Sequence, residues 1–186
     1  MSSMTQYLID SERTLAGGEL HTEVFESQKL GLRQTIDVVQ AGASADAIKR
    51  AFFYNDQKIA ERLQKAGQVM ANLYKTIDER KDDITLTAEE VNLFHAILGI
   101  ASEAGELAEE LISAKVENRE VDKQNIFEEA GDIMWYLALM LRYLDTSFEA
   151  VGERNIAKLA ARYPEKFSTE QALNRDLDAE KVALGG

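Results

Sequence analysis

One proline in 186 residues, Pro164, constrains this chain more than any other single feature. Proline and glycine are the residues that interrupt helices, and only 11 glycines accompany it. Ala, Leu, Glu, Lys and Arg are abundant, and no pair of alternating apolar runs is separated by a hairpin signal. The fold class expected is all-α. Cysteine is absent, which excludes a disulfide framework, a thiolate metal site and a cysteine nucleophile.

Apolar periodicity places the helices. A short one is expected over Thr5 to Leu15, closed by Gly17-Gly18. A second covers Glu19 to Gln40, with Leu20, Val24, Leu32, Ile36 and Val39 at helical spacing. Ala41-Gly42-Ala43-Ser44 reads as a break, with Ser44 capping one long helix from Ala45 to Arg80. Thr87-Ala88-Glu89-Glu90 is a capping box, opening a helix that runs to Lys115. Further helices are expected over Gln124 to Leu144 and Phe148 to Arg162, the last capped by Asp145-Thr146-Ser147 and stopped at Tyr163-Pro164. From Gln171 onward the polar chain is expected to fray.

Charge decides the partners. Asp and Glu number 33 against 21 Lys and Arg, a formal charge of -12. A protein that grips a phosphodiester backbone needs a basic face, so a nucleic-acid polymer is not an expected partner. The first ten residues lack a basic stretch followed by an apolar one, and no apolar run approaches the ~20 residues of a membrane span. The expectation is a cytoplasmic protein with no membrane partner.

Part of the acid is concentrated. On a helical wheel Glu103, Glu106 and Glu110 share one stripe of the 87–115 helix, with Asn92, His95 and Gly99 preceding them on it. Most of the rest of that helix is apolar. The 124–144 helix is still more apolar, yet it carries Glu129 and Asp132 three residues apart, and Tyr136 continues that face. Two helices joined by a short loop pack antiparallel, so the two acidic stripes can face each other. Glu103, Glu106, Glu129 and Asp132 would then repel unless a cation joined them. Oxygen-only donors suit Mg²⁺, with Mn²⁺ as a substitute. The histidines are His21 and His95, and the Glu-x-x-His pairs of di-iron bundles are missing. His95 is expected as a hydrogen-bonding member of the stripe rather than a ligand. Trp135 is expected in the core, and Tyr136 either in the core or lining a pocket. Glu109, Glu117 and Glu120 are expected at the solvated surface.

A basic stripe follows. Asn155, Lys158 and Arg162 are spaced i, i+3 and i+7 before Pro164. They can complement a helix dipole, or they can clamp phosphate beside the metals. Carboxylate-held metal, a phosphate clamp and a water nucleophile are the parts of metal-assisted phosphoryl hydrolysis.

These segments resemble a known family. The run from His95 to Glu110, His-Ala-Ile-Leu-Gly-Ile-Ala-Ser-Glu-Ala-Gly-Glu-Leu-Ala-Glu-Glu, is similar to the metal-binding helix of the MazG-like, all-α nucleoside triphosphate pyrophosphohydrolases. Glu103-x-x-Glu106 followed by Glu129-x-x-Asp132 matches the family's paired acidic motif. Glu128-Glu129-Ala-Gly-Asp132-Ile-Met-Trp135-Tyr136 resembles its second helix. Asn155-Ile-Ala-Lys158-Leu159-Ala-Ala-Arg162-Tyr163-Pro164 resembles its third. The resemblance spans about Thr87 to Ser168.

It implies a four-helix-bundle-type core over residues 86–170; outside it, 1–85 is expected as a helical extension for packing and oligomerisation and 171–186 as a polar tail. It implies hydrolysis of a ribo- or deoxynucleoside triphosphate between the α- and β-phosphates, giving monophosphate and pyrophosphate, in a homodimer or homotetramer. Glu103, Glu106, Glu129 and Asp132 would hold Mg²⁺, and one of the glutamates would orient or deprotonate the attacking water. Lys158 and Arg162, with Asn155 beside them, would bind the triphosphate, from the same chain or from a neighbouring subunit. The neighbouring readings are a hydrolase of another pyrophosphate-containing nucleotide, such as dUTP, dUDP or a phosphoribosyl-ATP-like adduct, and a non-catalytic helical regulatory protein with a structural metal site. One departure stands out. Compact members lead from a short helix, which Tyr7 to Thr14 resembles, almost directly into the Glu-x-x-Glu helix. Here two amphipathic helices intervene, unless the whole N-terminal half is an added helical hairpin.

Overall fold

The computed structural model describes residues 3–14, 28–80 and 84–185, and among them no strand occurs. The helices are α1 (Ser3–Asp10), α2 (Gln28–Gln34), α3 (Ile36–Tyr54), α4 (Ile59–Glu79), α5 (Ala88–Val116), α6 (Lys123–Tyr143), α7 (Phe148–Arg162), α8 (Thr169–Leu173) and α9 (Leu177–Ala183). A 3₁₀ turn, Ser11–Thr14, extends α1. The all-α class expected from the scarcity of breakers is the one observed. None of these helices is long and apolar enough to cross a membrane.

The helices group into two units. The first is built from α1, its 3₁₀ turn, α5 and α6. α5 starts where its capping box predicts: Thr87 Oγ1 accepts from Glu90 N at 3.2 Å, and the Glu90 carboxylate accepts from Thr87 N at 2.8 Å. The Asp122 side chain opens α6 by accepting from the amides of Gln124 and Asn125, at 2.8 and 3.3 Å. These caps satisfy amides that would otherwise lack partners in the first turn.

The two helices run antiparallel. From its N-terminal end onward, His95 of α5 meets Tyr136, Glu103 meets Glu129, and Glu110 meets Asp122 at the start of α6. Small residues make the approach close: Ala96 and Ala138 have no exposed surface, and Leu139 is the largest fully buried side chain among the described residues. α1 is tied to α6. The Tyr7 hydroxyl donates to the Gly131 carbonyl at 3.4 Å, and the Arg142 guanidinium donates to the Leu8 carbonyl and to Ser11 Oγ. The Tyr7 to Thr14 stretch therefore does lie against the second acidic helix.

The second unit contains α2, α3, α4, α8, α9 and α7 from Glu149 onward. Here the helix boundaries differ from those expected. Ala41-Gly42-Ala43-Ser44 is not a break, and Ser44 caps nothing; α3 runs straight through. A glycine inside a helix costs only about 1 kcal/mol relative to alanine, which flanking helical residues can outweigh. The long helix expected over 45–80 is instead interrupted at 55–58. Asn55 takes the left-handed conformation, φ 51°, and ends α3. Asparagine tolerates that region better than most residues. The buried Asp56 carboxylate then accepts from the Lys58 amide at 2.9 Å and from Arg62 Nε at 2.7 Å.

The helix expected over 19–40 falls partly outside the described residues, including Leu20 and Val24; its described part is divided at Thr35 between α2 and α3. α2 is pinned to the end of α4, with the Lys29 ammonium donating to the Arg80 carbonyl and Arg33 Nε to Asp78 at 2.9 Å.

The fraying expected from Gln171 onward is also overturned. α8 and α9 form there, each with a side-chain cap from Ser168 or Asp176. α9 is anchored by Glu180, 3% exposed.

Candidate metal and phosphate sites

On the facing surfaces of α5 and α6, Glu103, Glu106 and Glu129 each bring one carboxylate oxygen within 4.8 Å of the others. Glu129 is buried, Glu103 half-buried and Glu106 exposed, so the group opens to solvent at one side. Burial raises the Glu103 carboxyl most, to about 7; a hydrogen bond with Glu129 and the charges of Glu106, Glu129 and Asp132 push the same way. Carboxylates so arranged destabilise one another, and a divalent cation between them relieves that. The donor set is oxygen alone, which fits Mg²⁺ or Mn²⁺.

Asp132, the fourth acidic residue expected here, is exposed and lies outside the group of three. Its charge nonetheless reaches the site, since it raises Glu103, Tyr136 and Tyr7. Glu110, on the same stripe of α5, belongs elsewhere. Its carboxylate receives both outer nitrogens of Arg119, at 2.7 and 2.8 Å, and the Asp122 amide at 2.6 Å. Those donors, Arg119 first, hold it down at about 2.

Two residues that steady the carboxylates were not singled out in the sequence. Asn125 Nδ2 donates to Glu129 at 2.9 Å, and Ser102 Oγ donates to Glu106 at 3.3 Å. Both lie one turn before their partner, an i, i+4 spacing that a search for polar neighbours on the acidic stripes would find.

Tyr136 sits between core and site. Its ring stacks edge-on against His95 and Trp135, with centroids 5.5 and 5.0 Å away. Burial raises its hydroxyl pKa, and Glu103, Asp132 and Glu106 add to the effect. The ring rests on the backbone of Gly99: a Cβ there would lie 2.1 Å from Tyr136 Cε1. His95 packs against both aromatic rings and is not in the carboxylate group.

The basic stripe is on α7, in the second unit. Asn155 is exposed and Lys158 half-buried. Arg162 is engaged: Nε and Nη2 donate to the two oxygens of Glu180 at 2.8 and 2.6 Å. Arg175 reaches the same carboxylate from the other side, at 3.1 and 2.5 Å. The two arginines hold Glu180 well below the usual carboxylate range, and Glu180 raises Arg162 in turn.

Acidic oxygens gathered on two packed helices are an arrangement that could hold a metal ion. Comparison narrows this. Residues 94–167 match the MazG nucleotide pyrophosphohydrolase domain, so this stretch is MazG-like. It contains Glu103, Glu106, Glu129, Asp132, Tyr136, Asn155, Lys158 and Arg162. The Gene 37 protein of Mycobacterium phage L5 is 31% identical over 74 residues, covering 38% of this chain and 65% of the phage protein. The chain thus spans just under two thirds of that relative. No solved structure matches.

Proposed function

We propose that the protein is a Mg²⁺-dependent nucleoside triphosphate pyrophosphohydrolase. It would cleave between the α- and β-phosphates to give a nucleoside monophosphate and pyrophosphate, clearing nucleotides from a cytoplasmic pool. The carrying observation is the convergence of Glu103, Glu106 and Glu129 on two facing helices of the MazG-like stretch.

Those three, with Asp132 beside them, would hold the cation, Mn²⁺ serving as substitute. When bound, it supplies charge neutralisation for the phosphate oxygens and acidifies a coordinated water. The chain's own groups do the rest. Asn125 fixes the Glu129 carboxylate and Ser102 steadies Glu106. The Tyr136 ring rests on Gly99, one turn before Glu103 on α5. One of the glutamates orients the attacking water and accepts its proton. Lys158 and Arg162, with Asn155, bind the polyphosphate as point charge and planar fork.

A homodimer or homotetramer is the working form. In its support, Ile112, Val116 and Phe127 on α5 and α6 are 61%, 80% and 75% exposed, an apolar surface that a second copy would cover. Incubation of the full chain with each ribo- and deoxynucleoside triphosphate and Mg²⁺ tests the reading. Monophosphate and pyrophosphate are expected from at least one of them. Folded protein that releases pyrophosphate from none would refute it.

A further inference from the structure

α9 is held in an unusual way. Of its seven residues only Glu180 is buried, while Leu177 and Val182 are 62% and 71% exposed. Hydrophobic burial therefore contributes little to docking this helix. What docks it is one carboxylate between two guanidinium groups, Arg162 at the end of α7 and Arg175. The desolvation cost of a buried ion pair largely cancels its Coulomb attraction, so such a contact is stable in place yet open to exchange.

The species that can exchange is defined by the geometry. A planar guanidinium presents the same two parallel N–H groups to a carboxylate and to a phosphate. Glu180 engages Arg162 in that two-point manner, at 2.8 and 2.6 Å. Lys158, one turn earlier on α7, is half-buried and has no ion-pair partner among the described residues. A phosphate chain that displaced Glu180 would meet Arg162 and Lys158 on α7, while Arg175, which leads into α9, would leave with the helix; the phosphate chain carries more charge than the carboxylate it replaces.

We propose that α9 is a latch: Glu180 occupies the Arg162 fork in place of a substrate phosphate, and binding of the polyphosphate releases the helix. This rests on the role given to Arg162 above. It adds a closed and an open state to that role. The apparent affinity for polyphosphate is then the intrinsic affinity reduced by the fraction of molecules that are open.

The test uses the full chain, inorganic tripolyphosphate as the probe, and two readouts independent of turnover. By calorimetry in Mg²⁺ buffer, Glu180→Gln binds about tenfold more tightly than the wild type, as it would if about a tenth of wild-type molecules were open. Arg175→Ala, which keeps Arg162 and Glu180 but removes one anchor, moves the same way by less. It decides the matter if Glu180→Gln does not fold. By hydrogen exchange, the amides of Leu177–Ala183 lose protection in the wild type when tripolyphosphate is added. Equal or weaker binding by both variants, or unchanged protection of α9 at saturation, overturns the latch, as does absence of binding to every form. Tighter binding by Glu180→Gln with no hydrolysis of any nucleotide would leave the latch standing and refute the proposed enzyme. Hydrolysis with no gain in binding would do the reverse.

Discussion

Glu103 and Glu110 lie two turns apart on one face of α5, and their carboxyl groups are displaced in opposite directions. Glu103 is pushed up to about 7 and Glu110 held at about 2. The residue type and the helix are the same. What differs is the company: Glu110 has Arg119 and a backbone amide, whereas Glu103 has Glu129, Glu106 and the charge of Asp132. The chain supplies its own cation at one end of the stripe and none at the other. The lesson is that a stripe of acid on an apolar helix is not one feature. The half that lacks an internal counter-charge is the half where chemistry with an external one is to be sought.

The comparison can be broken most strongly at Glu129. Replacing it by Gln keeps its shape and removes a charge from the acidic group. Activity should fall about a thousandfold, since the stabilisation lost is worth several kcal/mol and each 1.36 kcal/mol is a factor of ten. Far-UV circular dichroism should not change. Activity within tenfold of the wild type would remove Glu129 from the site.

Asn125→Ala tests the support beneath it. Loss of an outer partner of a ligand costs about 10–100-fold in metal affinity or activity. Kinetics over a Mg²⁺ series should show the requirement for metal moving upward. Gly99→Ala tests the aromatic wall. The added methyl would lie 2.1 Å from Tyr136 Cε1, so the ring must move, at a cost of about 1–3 kcal/mol. A thermal melt within a degree of the wild type would show that the ring has room.

The smallest effect sharpens the other end. The folded-state pKa of Glu110 is depressed from 4.5 to about 2. Its stabilisation is therefore complete above the unfolded value and lost as pH falls from 4.5 to about 2. Arg119→Ala should melt below the wild type at neutral pH, with the gap closing through that window. A gap that stays constant would mean that Glu110 is not the partner that matters.

Much of this was legible in the chain, for local reasons. The Thr87-to-Glu90 box fixes the start of α5, and Tyr163-Pro164 follows the end of α7. Three-residue spacing on apolar helices brings Glu103, Glu106 and Glu129 together. What escaped depends on local signals that mislead or on partners far along the chain. Gly42 looks like a break and Asn55 does not, yet only Asn55 has Asp56 and Arg62 to stabilise a turn. Glu110 fits the acidic stripe until Arg119 is seen to fold back on it. The polar composition after Gln171 hides Glu180, whose partner Arg162 lies 18 residues earlier. The place of Tyr7 beside Gly131 spans 124 residues, beyond the reach of any local pattern.

The Glu103 half of the stripe, and not the Glu110 half, is the proposed divalent-cation site. A calorimetric titration with Mn²⁺ tests this without reference to any substrate. Binding to the wild type and to Glu110→Gln, with loss in Glu129→Gln, is the result expected. Equal binding by the wild type and Glu129→Gln, or loss in Glu110→Gln alone, would contradict it.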